Sequence, residues 1–258
     1  MKNYIFLPAL FLVLMGCSDG EDLQPMELRR PSAMNVYCHS APDVLMQRAE
    51  YAYNNGNLIA ETVFNGGDIY SETTYTYDSE GQLMAESYFT SGLRLDKTFV
   101  YNALGQLENV HHKRTDYDLN RQVVSESESE APREYEHNQL VKEWESWGGF
   151  NTYEDENGKM VVKTDYNGLG EKHHITTYAY SGNLLVREKK ETRDGALLYL
   201  KIYDYDAQQR LIRIREGENT IEENDYQGDQ LLEKRVFYFG IDPGYYGCNG
   251  NFIYRYEY

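Results

Sequence analysis

The 258-residue chain carries 25 Lys and Arg against 42 Asp and Glu, a formal net charge of −17. Strong acidity repels the phosphates of nucleic acids and the headgroups of anionic lipids, so neither is an expected partner. The chain is long enough to bury a sizeable core. Its 25 Tyr residues favour strands.

The N-terminus is typical of a secretory signal. Lys2 supplies a positive charge, and the apolar run 5–15 is too short to span a bilayer. The sequence Leu14-Met15-Gly16-Cys17 resembles the bacterial lipobox, in which the Cys is lipidated and becomes the first mature residue. Residues 1–16 are therefore predicted to be a signal peptide and Cys17 a lipid anchor. The alternative is an ordinary signal peptide with an incidental Cys.

An acidic run, Ser18-Asp19-Gly20-Glu21-Asp22, follows the predicted anchor. It resembles the export signal of surface-exposed lipoproteins in the Bacteroidetes, which implies an outer-membrane, lipid-anchored location at the cell surface. The alternative is a solvated tether. Pro and Ser residues between 23 and 42 are typical of a flexible stalk. We therefore expect a tether over 17–42 and a folded domain over 43–258, with membrane contact through the lipid only.

Two further cysteines are Cys38, just before the first copy of the repeat described below, and Cys248, just after the last copy. An exported protein meets an oxidising environment, so we expect these two residues to form a disulfide. Closing so long a loop contributes roughly 4 to 5 kcal/mol in the chain-entropy model, less any strain. The alternative is two free thiols.

The folded domain contains a degenerate repeat of an aromatic residue, a polar turn and an apolar anchor, usually Leu. The clearest copies are 53–58, 77–83 and 101–107, and weaker copies are 117–123, 135–140, 153–160, 180–184, 205–211 and 226–231. The anchors of successive copies lie 16 to 27 residues apart. A period in this range indicates one supersecondary unit that is stacked many times.

Each unit has the pattern of a hairpin. Residues 73–77 alternate Thr with Thr or Tyr, the period of a strand, and 78–82 form a polar turn in which Gly81 allows a positive φ. From Leu83 the alternation resumes, with Ala85 on the same predicted face as Leu83 and Glu86 on the other. Two strands of about eight residues and two short turns account for the period.

Aromatic pairs two residues apart recur in the predicted strands: Tyr51/Tyr53, Tyr75/Tyr77, Phe99/Tyr101, Tyr178/Tyr180 and Tyr203/Tyr205. Residues at i and i+2 share a strand face, so these rings should form a ladder beside the Leu anchors. The sequence predicts an all-β fold, an antiparallel meander of about 16–20 strands from tandem hairpins. We expect it to curl into a shell or barrel-like sheet around an interior of Tyr and Leu.

The copies Tyr77-Asp78…Gly81-Gln82-Leu83 and Tyr205-Asp206…Gln209-Arg210-Leu211 resemble the YD repeat of Rhs, teneurin and insecticidal toxin-complex proteins. The resemblance covers about residues 45–258 and implies strands that spiral into a hollow β-shell, which encloses a toxin in large members. Other copies depart from it: Asn replaces Asp at 54 and 102, Glu at 136 and 154, and Ser at 181. We expect the repeats to enclose no toxin, so only the fold is expected to carry over.

Groups that support catalysis or metal binding do not assemble into a motif. The adjacent histidines at 111–112 and 173–174 should point to opposite faces of their strands, which prevents chelation of one metal ion. Acidic turns at 153–158 and 204–206 lack the oxygen spacing of a dedicated calcium loop, so solvated turns are preferred. We therefore expect no catalytic residue, no metal and no cofactor. A carboxylate pair of the glycosidase type is not readable from sequence.

Both tryptophans of the chain fall in one segment, Trp144-Glu145-Ser146-Trp147-Gly148-Gly149-Phe150. Trp144, Trp147 and Phe150 are candidate ligand-binding residues, because aromatic rings near a Gly-Gly turn offer a stacking platform for a sugar or a peptide. The alternative is that one Trp faces the core; residues three apart on a strand face opposite ways, which leaves one for the outer face.

Together these patterns predict a non-enzymatic, surface-exposed lipoprotein whose β-repeat body binds glycan or envelope protein. One alternative is a polysaccharide-acting enzyme with carboxylates inside the curled sheet. Another is an immunity or scaffold protein that acts by protein contact.

Overall fold

The computed structural model describes residues 30–237 and 251–258. These residues form eighteen strands and no helix, which confirms the predicted all-β meander. The strands are β1 (Ala33–Cys38), β2 (Ala41–Asn54), β3 (Asn57–Asn65), β4 (Asp68–Tyr77), β5 (Leu83–Thr90), β6 (Leu93–Tyr101), β7 (Leu107–Tyr117), β8 (Val123–Glu136), β9 (Gln139–Trp144), β10 (Phe150–Glu156), β11 (Lys159–Tyr166), β12 (Lys172–Ser181), β13 (Leu184–Thr192), β14 (Leu197–Tyr205), β15 (Leu211–Glu216), β16 (Asn219–Gln227), β17 (Gln230–Phe237) and β18 (Asn251–Glu257).

The sheet closes into a barrel, because β18 pairs with β1. Every strand is antiparallel to its neighbours in chain order, and the closing register runs from Ala33↔Glu257 to Cys38↔Phe252. On the outer face Arg48 bridges this seam, with bonds of 2.8 and 2.9 Å to Glu257 and 2.9 Å to the Asn35 side chain. Closure removes the free edges that would otherwise template aggregation.

The barrel begins earlier in the chain than predicted. β1 starts at Ala33, inside the range 17–42 that composition assigned to a tether. Its sequence, Ala-Met-Asn-Val-Tyr-Cys, alternates faces like the other strands and is paired on both sides. The prolines at 31 and 42 lie just outside the paired residues of β1, which is why composition alone suggested a stalk.

The barrel has two ends, which we call the tyrosine rim and the distal rim. The even-numbered strands run toward the tyrosine rim, and the predicted turns at 53–58, 77–83, 101–107, 135–140, 153–160, 180–184, 205–211 and 226–231 all lie there. The predicted copy at 117–123 joins β7 to β8 and lies at the distal rim instead. The two shortest spacings in the repeat, 16 and 17 residues, both come from this out-of-phase copy.

The Asp of the Tyr-Asp pairs caps the turn that follows it. Asp78 Oδ1 accepts hydrogen bonds from the backbone N–H groups of Glu80 and Gln82, at 2.8 and 2.9 Å, and Gly81 has φ +85°. The same cap recurs at Asn102, Asp118, Asn167 and Asp206. Asn replaces Asp without loss because the cap needs only an acceptor oxygen.

The tyrosine hydroxyls of the repeat hydrogen-bond to the backbone of neighbouring strands at the tyrosine rim. Eight of them donate to a backbone carbonyl at 2.8–3.1 Å: Tyr53 to Pro31, Tyr77 to Leu58, Tyr101 to Leu83, Tyr135 to Leu107, Tyr180 to Met160, Tyr205 to Leu185, Tyr226 to Leu211 and Tyr258 to Leu231. In the β3–β4 pair the backbone register ends at Ala60↔Thr74, and Tyr77 reaches the Leu58 carbonyl beyond it. Each hydroxyl therefore satisfies a carbonyl that the backbone ladder leaves open.

One position around the tyrosine rim departs from this rule. The β9–β10 pairing ends at Lys142↔Thr152, so the rim tyrosine would stand at 155, where the sequence has Asp155. Tyr153, the aromatic residue of the predicted copy, lies two residues deeper, and its hydroxyl donates to the Glu143 carboxylate at 2.6 Å. The copy at 153–160 is therefore a turn of the repeat without its rim tyrosine.

A bulge beside each rim tyrosine changes which residues share a face. Tyr77 pairs with Leu83 while Thr76 pairs with Ala85, so Met84 is the extra residue on β5. Leu83 therefore lies opposite Tyr77, and Glu86 lies opposite Tyr75. The expectation that Leu83 and Ala85 share one face is wrong, because a bulge shifts the alternation by one residue.

The face that carries Tyr75 encloses the lumen. Burial raises the pKa of Tyr51, Tyr75 and Glu61, which the register places side by side on this face. On the opposite face charged side chains remain exposed, for example Glu128 at 75%. The interior is lined by Tyr and Leu as predicted, but also by charged residues that the prediction did not include.

Candidate functional site: the barrel lumen

The lumen carries a belt of side chains one layer below the tyrosine rim. It consists of the residue two before each rim position on the even strands and the residue three after each anchor on the odd strands. The anchor opposite Tyr180 is Leu185, one residue after the predicted Leu184, and Pro31 takes the equivalent position before β1. The even-strand members are Tyr51, Tyr75, Phe99, Arg133, Tyr153, Tyr178, Tyr203, Asn224 and Tyr256; the odd-strand members are Met34, Glu61, Glu86, Val110, Glu143, Lys163, Glu188, Ile214 and Lys234. We call these residues the lumenal belt. Aromatic rings on even strands alternate with mostly charged side chains on odd strands.

Three of the four belt glutamates are held by side chains of adjacent strands. Glu86 is held by Lys97, Glu143 by Arg133 and Tyr153, and Glu188 by Tyr199 and Tyr203. At Glu143 burial favours the neutral acid, but the hydrogen bonds from Tyr153 and Arg133 outweigh it, so the pKa is lowered. The Glu86 and Lys97 side chains are 20% and 24% exposed, so water reaches this layer.

Glu61 is the belt glutamate without such a partner. It lies between Tyr51 and Thr73, and among the described residues its carboxylate accepts no hydrogen bond and forms no ion pair. The Tyr51 hydroxyl is directed elsewhere, to the Met34 sulfur at 3.8 Å. Burial, with a smaller contribution from the charge of Glu86, raises the pKa of Glu61.

Across the barrel, β11 to β13 place basic side chains around one carboxylate. Asp165 has Lys190 Nζ at 2.9 Å, Lys163 Nζ at 3.6 Å and His174 Nδ1 at 3.7 Å. Burial, Lys190 and His173 lower the pKa of His174, which favours the neutral imidazole. This sector of the lumen therefore carries an excess of positive charge, in contrast to the Glu61 sector.

Of the predicted ligand-binding residues, Trp144 and Phe150 come together on the outer face near the distal rim. Their rings are 6.4 Å apart, and Phe150 also stacks on Tyr166 at 4.6 Å. The Lys142 ammonium lies 4.0 Å from the Trp144 ring and 4.4 Å from the Phe150 ring. The cluster is partly buried by its own members, and a cation already occupies the face of two rings.

Trp147 is separate from that cluster. It lies in the β9–β10 turn rather than on a strand, so the reasoning about opposite strand faces does not apply to it. Its ring remains 67% exposed and covers Gly149, where a Cβ would overlap the ring. A Cβ at 149 would therefore displace the ring, and Trp147 presents a platform to solvent.

Of the three cysteines in the predictions, only Cys38 lies among the described residues. Cys38 ends β1 at the distal rim and is disulfide-bonded. Its predicted partner Cys248 and the predicted lipidation site Cys17 lie outside the described residues, so both assignments stay predictions. Cys38 is opposite Phe252 in the β1–β18 seam, four residues from position 248 along the chain.

The histidine pairs behave differently from each other. His111 lies on the outer face, with Nδ1 3.1 Å from Glu130, while His112 faces the lumen opposite Lys97, as the alternation predicts. The rings of His173 and His174 are 3.8 Å apart, so the expectation of opposite faces is wrong there. The register slips between Asp165↔His174 and Tyr166↔Lys172, which makes His173 a bulge residue and frees its ring to turn.

In residues 30–237 and 251–258 no group of three or more His, Cys, Asp and Glu side chains is arranged to hold a metal ion. Nor does this part of the chain contain a helix that is long and apolar enough to cross a membrane.

No protein-family model and no curated protein sequence matches the chain. Solved structures with a similar fold include a porin-like protein from Bacteroides uniformis, 14% identical over 72% of this chain and 94% of its own, with a TM-score of 0.46. A Tc holotoxin pore from Photorhabdus luminescens is 12% identical over 74% of this chain, which spans only 12% of that toxin chain; its TM-score is 0.29. Both scores lie below 0.5, so neither neighbour assigns a function. The YD-repeat resemblance stays a prediction.

The belt was missed by sequence reasoning, although the sequence carries a signal for it. The third residue after the anchor is charged in six of the eight copies at the tyrosine rim: Glu61, Glu86, Glu143, Lys163, Glu188 and Lys234. A simple alternation from the anchor places this residue opposite to the tyrosines, on the solvent face. Only the bulge turns it into the lumen.

Proposed function

We propose that this protein is a non-enzymatic lipoprotein of the bacterial cell envelope whose barrel binds a carbohydrate chain in its lumen. The observation that carries the proposal is the lumenal belt. Tyrosine rings offer apolar faces for the C–H surfaces of sugar rings, and the charged side chains between them offer hydrogen bonds to hydroxyl groups. Because the belt continues around the barrel, a ligand meets several rings and several polar groups together.

The state of the carboxyl groups supports binding rather than hydrolysis. Glycosidases use two carboxyl groups whose environments separate their pKa values, one acid and one base or nucleophile. Among the described carboxyl groups with a resolved pKa shift, Glu61 is raised and all others are lowered. The raised pKa of Glu61 suits the acid of such a pair, but its neighbour Glu86 is held by Lys97 at 2.7 Å and is not free to act as the base or nucleophile. For this reason we favour binding. The alternative is a polysaccharide-acting enzyme. In that case the protein would bind glycans and also shorten them.

The outer face supports a body that stands outside the bilayer. It carries ion pairs along several strands, including Arg215–Asp204 at 2.8 Å and Arg255–Glu233 at 2.9 Å. A barrel embedded in lipid presents an apolar band instead. We therefore assign membrane contact to the predicted lipid on Cys17.

The test is a glycan array probed with the full chain in detergent, as wild type and as two variants. Tyr178→Leu removes a belt ring whose hydroxyl makes no hydrogen bond within the described residues, and Trp147→Ala removes the exposed outer platform. We expect retention on a subset of glycans, loss of most retention in the Tyr178 variant, and none of that loss in the Trp147 variant. No retention on any glycan would overturn the proposal. Loss in the Trp147 variant alone would move the site to the outer turn.

A second candidate function, contact with an envelope protein, is favoured by the distal rim. Eleven of the sixteen exposed large apolar side chains in the described residues lie at that end: Val44, Leu45, Ile69, Tyr70, Leu119, Val123, Val124, Trp147, Leu169, Leu197 and Leu198. Leu119 and Leu169 are 104% and 86% exposed. Apolar groups gathered at one end are typical of an interaction surface. Chemical cross-linking in envelope preparations should give an adduct with another protein, and the Leu119→Ser/Leu169→Ser variant should not form it. An adduct that the variant still forms would exclude the distal rim as the contact surface.

A further inference from the structure

The internal repeat allows a comparison that points to one position of the lumen. Glu61, Glu86, Glu143 and Glu188 occupy equivalent places, each three residues after the anchor of its hairpin. Three of them receive a cation or tyrosine hydroxyls from neighbouring strands. Glu61 receives nothing from the described residues, although it is half-buried like the others. Its carboxylate oxygens are not among the fully buried atoms that lack a partner, so water reaches them and a donor group of a ligand can replace that water.

The surroundings of Glu61 define what donor fits. Tyr51 pairs directly with it, and Tyr75 belongs to the next strand of the same face. The titratable groups that act on it are Tyr51, Tyr53, Tyr75 and Glu86. The nearest cations among the described residues contact these neighbours and not Glu61: Arg30 lies 5.6 Å over the Tyr53 ring and Lys97 lies 2.7 Å from Glu86. Carboxylate oxygen beside tyrosine rings is the combination that binds an ammonium group, through a charge-assisted hydrogen bond and cation–π contact.

We propose that Glu61, with Tyr51 and Tyr75, forms a subsite for a protonated amino group of the ligand, and that the ligand is therefore an amino sugar chain. The inference rests on the proposed function, because it names the class of glycan that the lumen takes. A protonated amine takes the place at Glu61 that Lys97 takes at Glu86. The Lys163 and Lys190 sector, on the other side of the barrel, repels the amine and so orients the ligand.

The experiment compares three tetrasaccharides with the same β-1,4-linked glucose skeleton, which differ only in the substituent at carbon 2. These are the glucosamine tetramer with –NH₃⁺, the N-acetylglucosamine tetramer and cellotetraose. Affinities are measured by isothermal titration with the full chain in detergent. We expect the glucosamine tetramer to bind roughly tenfold more tightly than the other two, the scale of one charge-assisted hydrogen bond.

Two variants with the same change in charge isolate the subsite. Glu61→Gln should abolish the preference for the amine and leave the affinity for cellotetraose unchanged. Glu72→Gln, on the outer face of the adjacent strand β4, should leave both affinities unchanged. The preference should also fall as pH decreases through the raised pKa of Glu61, because the protonated acid no longer pairs with the amine.

The outcomes separate this inference from the proposed function. Equal affinity for the three tetramers, or an unchanged preference in Glu61→Gln, overturns the amine subsite while carbohydrate binding stands. Binding to none of the three also overturns the subsite, and the glycan array then decides independently whether the lumen binds another carbohydrate.

Discussion

Replacing Tyr77 by Phe tests the interpretation of the tyrosine rim. The substitution keeps the ring and removes only the hydroxyl, which donates to the Leu58 carbonyl at 2.8 Å. A hydrogen bond of this kind contributes about 0.5 to 1.5 kcal/mol net. The rim lies near solvent, so water replaces the lost donor in part, and we expect a loss of about 1 kcal/mol. For a barrel of this size the corresponding decrease in Tm is about 2 to 4 °C.

Urea unfolding followed by circular dichroism measures the effect. Tyr70→Phe is the matched control, because Tyr70 lies at the distal rim, is 49% exposed, and its hydroxyl makes no hydrogen bond within the described residues. The control should unfold like the wild type. The double variant Tyr77→Phe/Tyr205→Phe should lose about twice as much, since β4 and β14 share no partner and distant sites add. If Tyr77→Phe and Tyr70→Phe unfold at the same urea concentration, the rim hydrogen bonds do not stabilise the barrel.

Three further predictions concern the same architecture. Asp155→Tyr should supply the missing rim tyrosine opposite the Leu140 carbonyl and raise the free energy of unfolding by about 0.5 to 1.5 kcal/mol. Asp155→Phe is the control without a hydroxyl and should raise it by less. Equal increases would assign the effect to removal of the charge. Burial raises the pKa values of Tyr178 and Tyr256 from 10.0 to about 12, so the folded state favours the protonated phenol. The stabilisation from these two phenols is therefore fully present below pH 10 and decreases as pH rises from 10 through 12. Two results together would contradict the burial: urea midpoints that stay constant up to pH 12, and tyrosinate absorbance that appears near pH 10. Gly149→Ala, made in a Trp144→Phe background, should displace the Trp147 ring and shift its fluorescence emission. The free energy of unfolding should change by less than about 1 kcal/mol. An unchanged emission spectrum would show that the ring does not rest on residue 149.

The face on which a site residue lies was in part predictable from its own strand, but its partners on neighbouring strands were not. The pairs Tyr51/Tyr53 and Tyr75/Tyr77 follow from an alternation of two, and the structure places both on the lumenal face. Glu61 could have been found from its spacing after Leu58. That it has no partner within residues 30–237 and 251–258 depends on what β2 and β4 place beside it. The absence of a cation from that position is a property of three strands together.

The sequence by itself determined the class of fold and the approximate number of strands. A tyrosine, a capped turn and an apolar anchor lie within about seven residues, and the caps at Asp78 and Asn102 act on their own turns, so these features can be recognised without the rest of the chain. Tertiary structure decided the closure of β18 on β1 and the bulges at Met84 and His173. Both depend on the register between strands, and a shift of one residue exchanges the lumenal and solvent faces. That shift is the physical reason why a run of charges that appears solvated in the sequence lines the interior of the barrel.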